Sequence, residues 1–281
     1  MNGLKPAGLG TFKSLNVTVQ LESKGEWLKR GLVTFSPSRP QDAGQWLDAL
    51  TGRAYSSSLL DYVKANGQTI GAATAQKPVQ ILAEPYAIGL YAQKNTWVMD
   101  VALAEVSSKN FLSTKNAVGD PKAPIVIRVF SDFECPYCQK LESEFLIGYK
   151  KKLPKDVRLE FHHMPLSEIH LKAIPAAEAS ECAGAQGHFW DYHDQLFRDR
   201  SWIRAEDTQA VFLDLAADLK LNLGDFKRCL EAHTYKNKVS SERSEGVKLG
   251  VQGTPTVFVN QFRIENPYEI SNYERLYRLL R

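Results

Sequence analysis

Asp132-Phe133-Glu134-Cys135-Pro136-Tyr137-Cys138 follows a continuous apolar run, Ile125–Phe130, broken only at Arg128. Leu141, Phe145, Leu146 and Tyr149 then recur at helical spacing. The apolar run suits a strand buried on both faces. The order is therefore strand, short turn, helix, with both cysteines at the start of the helix. In that position backbone N–H groups and the positive end of the helix dipole point at the Cys135 sulfur, and both favour thiolate over thiol. Pro136 occupies an early helical position, where its missing N–H costs little. Cys138 lies one turn further in, shielded and close enough to close a disulfide. Cys135 is then the sulfur that attacks or is attacked, and Cys138 the one that resolves the mixed disulfide.

Zinc is the competing use of a Cys-x-x-Cys, and it needs two more ligands at suitable spacing. Cys182 and Cys229 stand alone, and His162-His163, His188 and His193 form no clean partner motif. No metal is expected. His162 and His163 straddle a strand, so their rings point to opposite faces and are assigned no chemistry. His188, Phe189, Trp190, Tyr192 and His193 open a helix, and read as core and helix surface rather than a binding groove.

A second signal stands far along the chain, in Gly253-Thr254-Pro255-Thr256-Val257-Phe258-Val259. A proline directly before a buried strand cannot donate to a sheet ladder. A cis Thr254–Pro255 bond accommodates it and leaves the preceding backbone free to pair with an extended peptide. Between the two signals, Val157–Met164 reads as a strand. From about Glu168 to Gly250 the pattern is helical, with breaks at Gly184–Gly187 and Asn222–Gly224. Thr256–Val259 and Phe262–Ile264 read as a terminal hairpin, and Tyr268–Leu280 as a last helix.

The first part of the chain reads differently. Ser14–Leu21 alternates as a half-buried strand, and Leu32–Phe35 pairs with it across Ser23-Lys24-Gly25. Ala43–Val63 has mostly helical spacing, broken at Thr51-Gly52. Val79–Leu82, Tyr86–Tyr91 and Trp97–Val106 read as strands, the last two joined at Lys94-Asn95. Trp27, Trp46 and Trp97 are expected in the core. Residues 1–112 contain no cysteine, no histidine and no suggestive carboxylate pair, and read as a packing or docking domain. Ser107–Pro124 has linker composition, which places the boundary near residue 112.

The chain has 281 residues, 43% hydrophobic and 24% charged, as globular domains have. Its net charge of +3 sits in residues 1–112, with 11 basic and 8 acidic side chains, while residues 113–281 carry 24 of each. Neither part has the basic stripe of a nucleic-acid binder, and no apolar run is long enough to span a membrane. Met1-Asn2-Gly3-Leu4-Lys5-Pro6 lacks the apolar core of a signal peptide. The chain is therefore read either as cytosolic or as a mature form from which a signal or anchor was removed.

Gly119–Pro124 through Cys138 resembles the opening of DsbA-like thiol-disulfide oxidoreductases of the thioredoxin superfamily. Ala176-Ala177-Glu178-Ala179, Gly187–Phe197 and Gly250–Thr256 are similar to the same family, so the resemblance covers about residues 118–281. It implies an α/β thioredoxin fold with a helical domain inserted at about 166–250, here preceded by a small α+β domain. The long separation of the dithiol from Thr254 matches that insertion and argues against a glutaredoxin.

By this resemblance Cys135 and Cys138 are the redox pair, Pro136 and Tyr137 tune its potential, and Thr254 and Pro255 hold the substrate backbone. Many thioredoxin-fold proteins carry a buried acid six residues before the first cysteine, a place held here by Val129. Glu134 is either a partial substitute or a solvated turn residue. Cys182 and Cys229 are either two buried thiols or a structural disulfide of the kind some DsbA-like proteins carry. A bridge would point to an oxidising compartment.

The implied activity is dithiol oxidation of exported, cysteine-containing polypeptides in the periplasm or cell envelope. No cofactor is needed, and a membrane quinone-linked thiol oxidase would regenerate the disulfide. Two alternatives stand beside it. One is a reductase or isomerase of the DsbC or DsbG type that dimerises through residues 1–112. The other is a non-catalytic binding protein whose dithiol is structural.

Overall fold

The computed structural model describes residues 10–13, 16–24, 27–52, 54–83 and 86–281. Met1–Pro6, Ser14, Leu15, Gly25 and the Trp27 side chain, all used in the sequence reading, lie outside the described residues. The chain divides into two compact units, one of residues up to Glu105 with Arg278–Leu280, the other of Val106–Tyr277 with Arg281.

In the first unit β1 (Gly10–Lys13), β2 (Val17–Lys24) and β3 (Trp27–Phe35) precede α1 (Pro40–Thr51) and α2 (Ser56–Ala72). β4 (Val79–Ala83), β5 (Tyr86–Gln93) and β6 (Thr96–Leu103) complete a sheet of order β1-β2-β3-β6-β5-β4. Every pairing in it is antiparallel. β3 starts at Trp27 rather than Leu32 because the polar Arg30 has a cross-strand partner. Its guanidinium donates to Asp100 of β6 at 2.8 and 2.6 Å. Gly52, at φ 71°, ends α1, and Lys94, at φ 56°, turns the chain between β5 and β6. Val19, Val33, Phe35, Leu47, Ile70, Leu90, Met99 and Val101 form the core. Trp46 and Trp97 are half-buried, at its edge rather than inside it. The Trp97 ring meets Phe35 edge-on, centroids 6.3 Å apart, as suits a large side chain with a polar N–H.

The second unit carries the dithiol. β7 (Ala117–Val118) and β8 (Ile125–Ser131) lead to α3 (Pro136–Leu141), a π-helical segment Glu142–Leu146, α4 (Ile147–Lys151) and β9 (Val157–His163). β8 and β9 are parallel and joined by this helical crossover. α5 (Ala173–Gly184), α6 (Phe189–Arg198), α7 (Ser201–Arg204), α8 (Thr208–Asp218), α9 (Leu223–Glu231) and α10 (Lys236–Lys248) then intervene. β10 (Thr256–Val259), β11 (Phe262–Arg263) and α11 (Ile270–Leu280) end the chain. The sheet order is β11-β10-β8-β9-β7, with β10 antiparallel to β8. This is a thioredoxin fold carrying a helical insertion, preceded by a sheet domain.

Residues 106–112 pack within the second unit. Val106 donates its N–H to the Gln261 carbonyl at 3.0 Å, and Phe111 meets Phe258 with ring centroids 5.4 Å apart. The stretch of linker composition also holds β7, which pairs with β9. In the insertion Gly187, at φ 83°, separates α5 from α6, and the Asn222 side chain caps α9 by accepting from Asp225 N at 3.1 Å. Tyr192, Trp202, Phe212 and Phe226 fill the insertion's core, and the same apolar cluster takes in Phe133, Cys135, Cys138 and Phe161. Among the described residues no helix is long and apolar enough to cross a membrane.

Candidate active site

Cys135 holds the N-cap position of α3 in extended backbone, Pro136 is the first helical residue, and Cys138 lies on the first turn. Both thiols are free. Pro136 and Tyr137 face solvent, with Tyr137 65% exposed, and the Tyr137 carbonyl accepts from Tyr268 Oη at 3.0 Å. Thr254 and Pro255 reach the dithiol from the other end of the domain, across the β8–β10 pairing. The Thr254–Pro255 bond is cis, and Cys135 Sγ lies 3.4 Å from the Thr254 carbonyl oxygen.

The two sulfurs differ sharply. The Cys138 thiol donates to the Cys135 sulfur, and this bond does most to pull the Cys135 thiol down to about 5, against the cost of burial. The Thr254 hydroxyl and the backbone N–H groups of Cys138 and Tyr137 act in the same direction. That hydroxyl is buried and has no hydrogen-bond partner of ordinary geometry among the described residues. Cys138 is fully buried and accepts from Asp132 N at 3.4 Å. Burial, followed by the neighbouring Cys135, drives its thiol well above the ordinary range. One sulfur is ionised at neutral pH and the other holds its proton.

The turn before Cys135 is built by residues the sequence did not single out. The buried Asp132 carboxylate accepts from Glu134 N at 2.7 Å, from Leu166 N at 2.8 Å and from His170 Nδ1 at 2.8 Å. Glu134 is neither free nor a solvated turn residue, because its carboxylate accepts from Lys172 N at 2.7 Å. Arg200, between α6 and α7, donates to the carbonyls of Phe133 at 3.0 Å and Glu134 at 2.6 Å. Val129 is buried in β8, so no acid stands at that point. The partners of Asp132 and Glu134, namely Leu166, His170, Lys172 and Arg200, are too distant in sequence to be paired by pattern.

The remaining candidates fall as follows. Cys182 and Cys229 form a disulfide that ties α5 to α9, Cα atoms 5.8 Å apart. His163 bonds Glu181 at 2.8 Å and His162 bonds Glu245 at 3.1 Å, both inside the fold. Burial disfavours the His162 cation, but Glu160 and Glu245 outweigh it and raise the ring to about 9. Phe189, Tyr192 and His193 are core residues, whereas His188 is exposed beside Asp191. Among the described residues Glu142, His193 and Asp194 offer cation-binding atoms within 4.8 Å of one another. The Lys150 ammonium already contacts Asp194 and supplies positive charge there.

Known proteins bear on this arrangement. "Na(+)/H(+) antiporter NhaA 3" of Salinispora tropica is 36% identical over 155 residues, which are 54% of this chain and 22% of that protein. The chain thus spans about a fifth of the length of that relative. "Probable disulfide bond formation protein D" of Bacillus cereus is 27% identical over 157 residues, 53% of this chain and 71% of that protein. Oxidised BdbD from Bacillus subtilis shares the fold, with a TM-score of 0.52, 24% identity and coverage of 63% of this chain and 96% of that one. The family model described as Thioredoxin matches residues 112–278, more than half of the chain. A dithiol at the start of a helix, a cis proline facing it and this match lead to one conclusion: the chain belongs to the thioredoxin family.

Proposed function

We propose that the protein is a thiol-disulfide oxidoreductase that introduces disulfides into exported polypeptides. The observation that carries this reading is the unequal placement of the sulfurs, with Cys135 at the start of α3, 3.4 Å from the Thr254 carbonyl oxygen, and Cys138 fully buried on the first turn. In the disulfide form a substrate thiolate attacks Cys135 Sγ, the Cys135–Cys138 bond breaks, and Cys138 leaves and takes a proton. The substrate's second thiolate then attacks its own sulfur in the mixed disulfide and expels Cys135 as a stable thiolate. Two electrons pass from the substrate dithiol to the protein pair. The Thr254 backbone, 3.4 Å from the nucleophile, is placed to pair with the substrate chain. Pro136 and Tyr137, exposed between the cysteines, meet the substrate and tune the potential.

The unit that begins at Val106, a few residues before the boundary expected near 112, forms the catalytic domain in this reading, and the residues up to Glu105 a packing or docking domain. The Cys182–Cys229 disulfide supports an extracytoplasmic site of action, in the periplasm or cell envelope. A membrane quinone-linked thiol oxidase would accept the two electrons and restore the Cys135–Cys138 bond. No cofactor enters these steps.

The reduction potential tests the direction of exchange. A value near about −120 mV supports an oxidase, and one near about −270 mV a thioredoxin-like reductase instead. The reduced Cys138→Ser variant, its Cys135 thiolate attacking a disulfide-bonded peptide and expelling one peptide thiolate, should stop at a mixed disulfide on Cys135, visible by mass spectrometry. Failure to trap any adduct would overturn the assignment.

A further inference from the structure

The turn leading into Cys135 is electrostatically awkward for a thiolate. Asp132 and Glu134 each bring a carboxylate, and the carbonyls of Phe133 and Glu134 add partial negative charge. The helical insertion answers with basic groups from three points along the chain. His170 and the backbone of Leu166 take up the Asp132 carboxylate. The Lys172 backbone takes up the Glu134 carboxylate, while the Lys172 ammonium reaches forward to the carbonyls of Trp202 and Ala205. That second contact pins the segment just beyond Arg200.

We propose that Arg200 is a positioning residue that clamps the turn before Cys135 and holds a fixed positive charge beside it, and so sets the reduction potential of the dithiol. The inference rests on the oxidoreductase reading and names the regulation of that same site. The planar guanidinium spans two successive carbonyls, at 3.0 and 2.6 Å, as a flexible ammonium cannot. Both carboxylates of the turn also have other partners, Asp132 the His170 ring and Glu134 the Lys172 amide. Arg200 is partly buried and loses hydration, which lowers its own affinity for a proton; the Cys135 charge is the largest influence opposing that loss, ahead of Glu134, Cys138 and Asp132. The attraction is mutual, because a cation that is stabilised by the thiolate stabilises it in return.

The consequence for redox chemistry follows from charge. The disulfide carries none. When two glutathione thiols reduce it, they give up two electrons and form glutathione disulfide. Of their two protons, one goes to Cys138 and one is released, leaving Cys135 as the thiolate. A fixed positive charge favours only the reduced side and makes the pair more oxidising. The insertion thereby contributes to the chemistry of a nucleophile that lies outside it.

The test uses the full chain and three variants: Arg200→Met removes charge and donors, Arg200→Gln keeps amide donors without charge, and Arg200→Lys keeps charge without the fork. Two quantities are measured, the Cys135 titration by thiolate ultraviolet absorbance and the equilibrium constant against glutathione. Arg200→Met and Arg200→Gln should each raise the Cys135 pKa by about one unit and shift the equilibrium about tenfold toward the disulfide, about 30 mV. Arg200→Lys should recover about half of each change. A clamp without electrostatic influence would instead lower thermal stability and leave both readouts unmoved. Should Arg200→Met fail to fold, Arg200→Gln decides alone. Arg200 variants that stay within about 0.2 pKa unit and about twofold of wild type overturn this proposal and leave the oxidoreductase reading standing. Wild-type Cys135 titrating above about pH 8 overturns both.

Discussion

The two cysteine pairs of this chain both lie against the same apolar cluster, yet they are built for opposite purposes. Cys182 and Cys229 stand 47 residues apart and join the last turns of α5 and α9, Cys182 inside the apolar core of the insertion and Cys229 partly buried at its edge. Bonded to each other, these two sulfurs do not titrate. Cys135 and Cys138 are neighbours on one helical turn, yet one lies at the helix start beside Thr254 and the other is sealed beneath it. Burial alone thus does not make a thiol inert. Asymmetry of surroundings makes a pair exchange electrons, and a bond that closes a long loop makes a pair a brace.

The strongest way to break this contrast is to exchange the expected effects of the two pairs. Cys135→Ser should reduce peptide oxidation by about three orders of magnitude or more, to background, because no other thiolate stands at the site. The double variant Cys182→Ala, Cys229→Ala should keep the oxidation rate within about threefold while losing about 4 kcal/mol of unfolding free energy, the chain-entropy value for a loop of this length. Equilibrium denaturation and the oxidation assay measure the two sides. A double variant that loses activity without losing stability would reverse the roles assigned here.

A third prediction concerns pH. The Cys135 thiol is depressed from an ordinary 9.0 to about 5. Its stabilisation of the reduced form is therefore complete above the ordinary value, and is lost as pH falls through about 5. Alkylation of the reduced protein should follow the same thiolate fraction, with its midpoint near 5. At pH 7 Cys135 should react on the order of a hundredfold faster than its thiolate fraction would allow at that ordinary value. The smallest effect is expected from Thr254→Val. Removing that hydroxyl should raise the Cys135 midpoint by about one unit and leave the Cys182–Cys229 bridge intact, as checked by titration and by thiol counting.

The legible parts of the fold share a physical character. Strand β8, the cysteines, the helix that follows and the β5–β6 hairpin all depend on contacts within a few residues, which periodicity and turn chemistry report directly. β3 extends beyond its apolar pattern because Lys29 and Arg30 interrupt that pattern, and only the pairing of Arg30 with Asp100 on β6 makes the interruption stable. β7 was hidden in linker composition, since two residues added to a sheet edge leave no periodic trace. In the site, Cys135, Cys138, Thr254 and Pro255 were visible as motifs. Asp132, His170, Lys172 and Arg200 were not, because each is an ordinary polar residue until folding brings it to the turn. Glu134 was visible, but its role depended on finding Lys172.

By itself the sequence determined that a dithiol begins a helix behind a buried strand, and that a proline opens a distant strand of the same domain. Local hydrogen bonding and hydrophobic periodicity suffice for both. The tertiary structure alone decided which sulfur ionises and which keeps its proton. That division is set by desolvation and by charges converging from remote segments, and electrostatic energy depends on distance in space rather than on position along the chain.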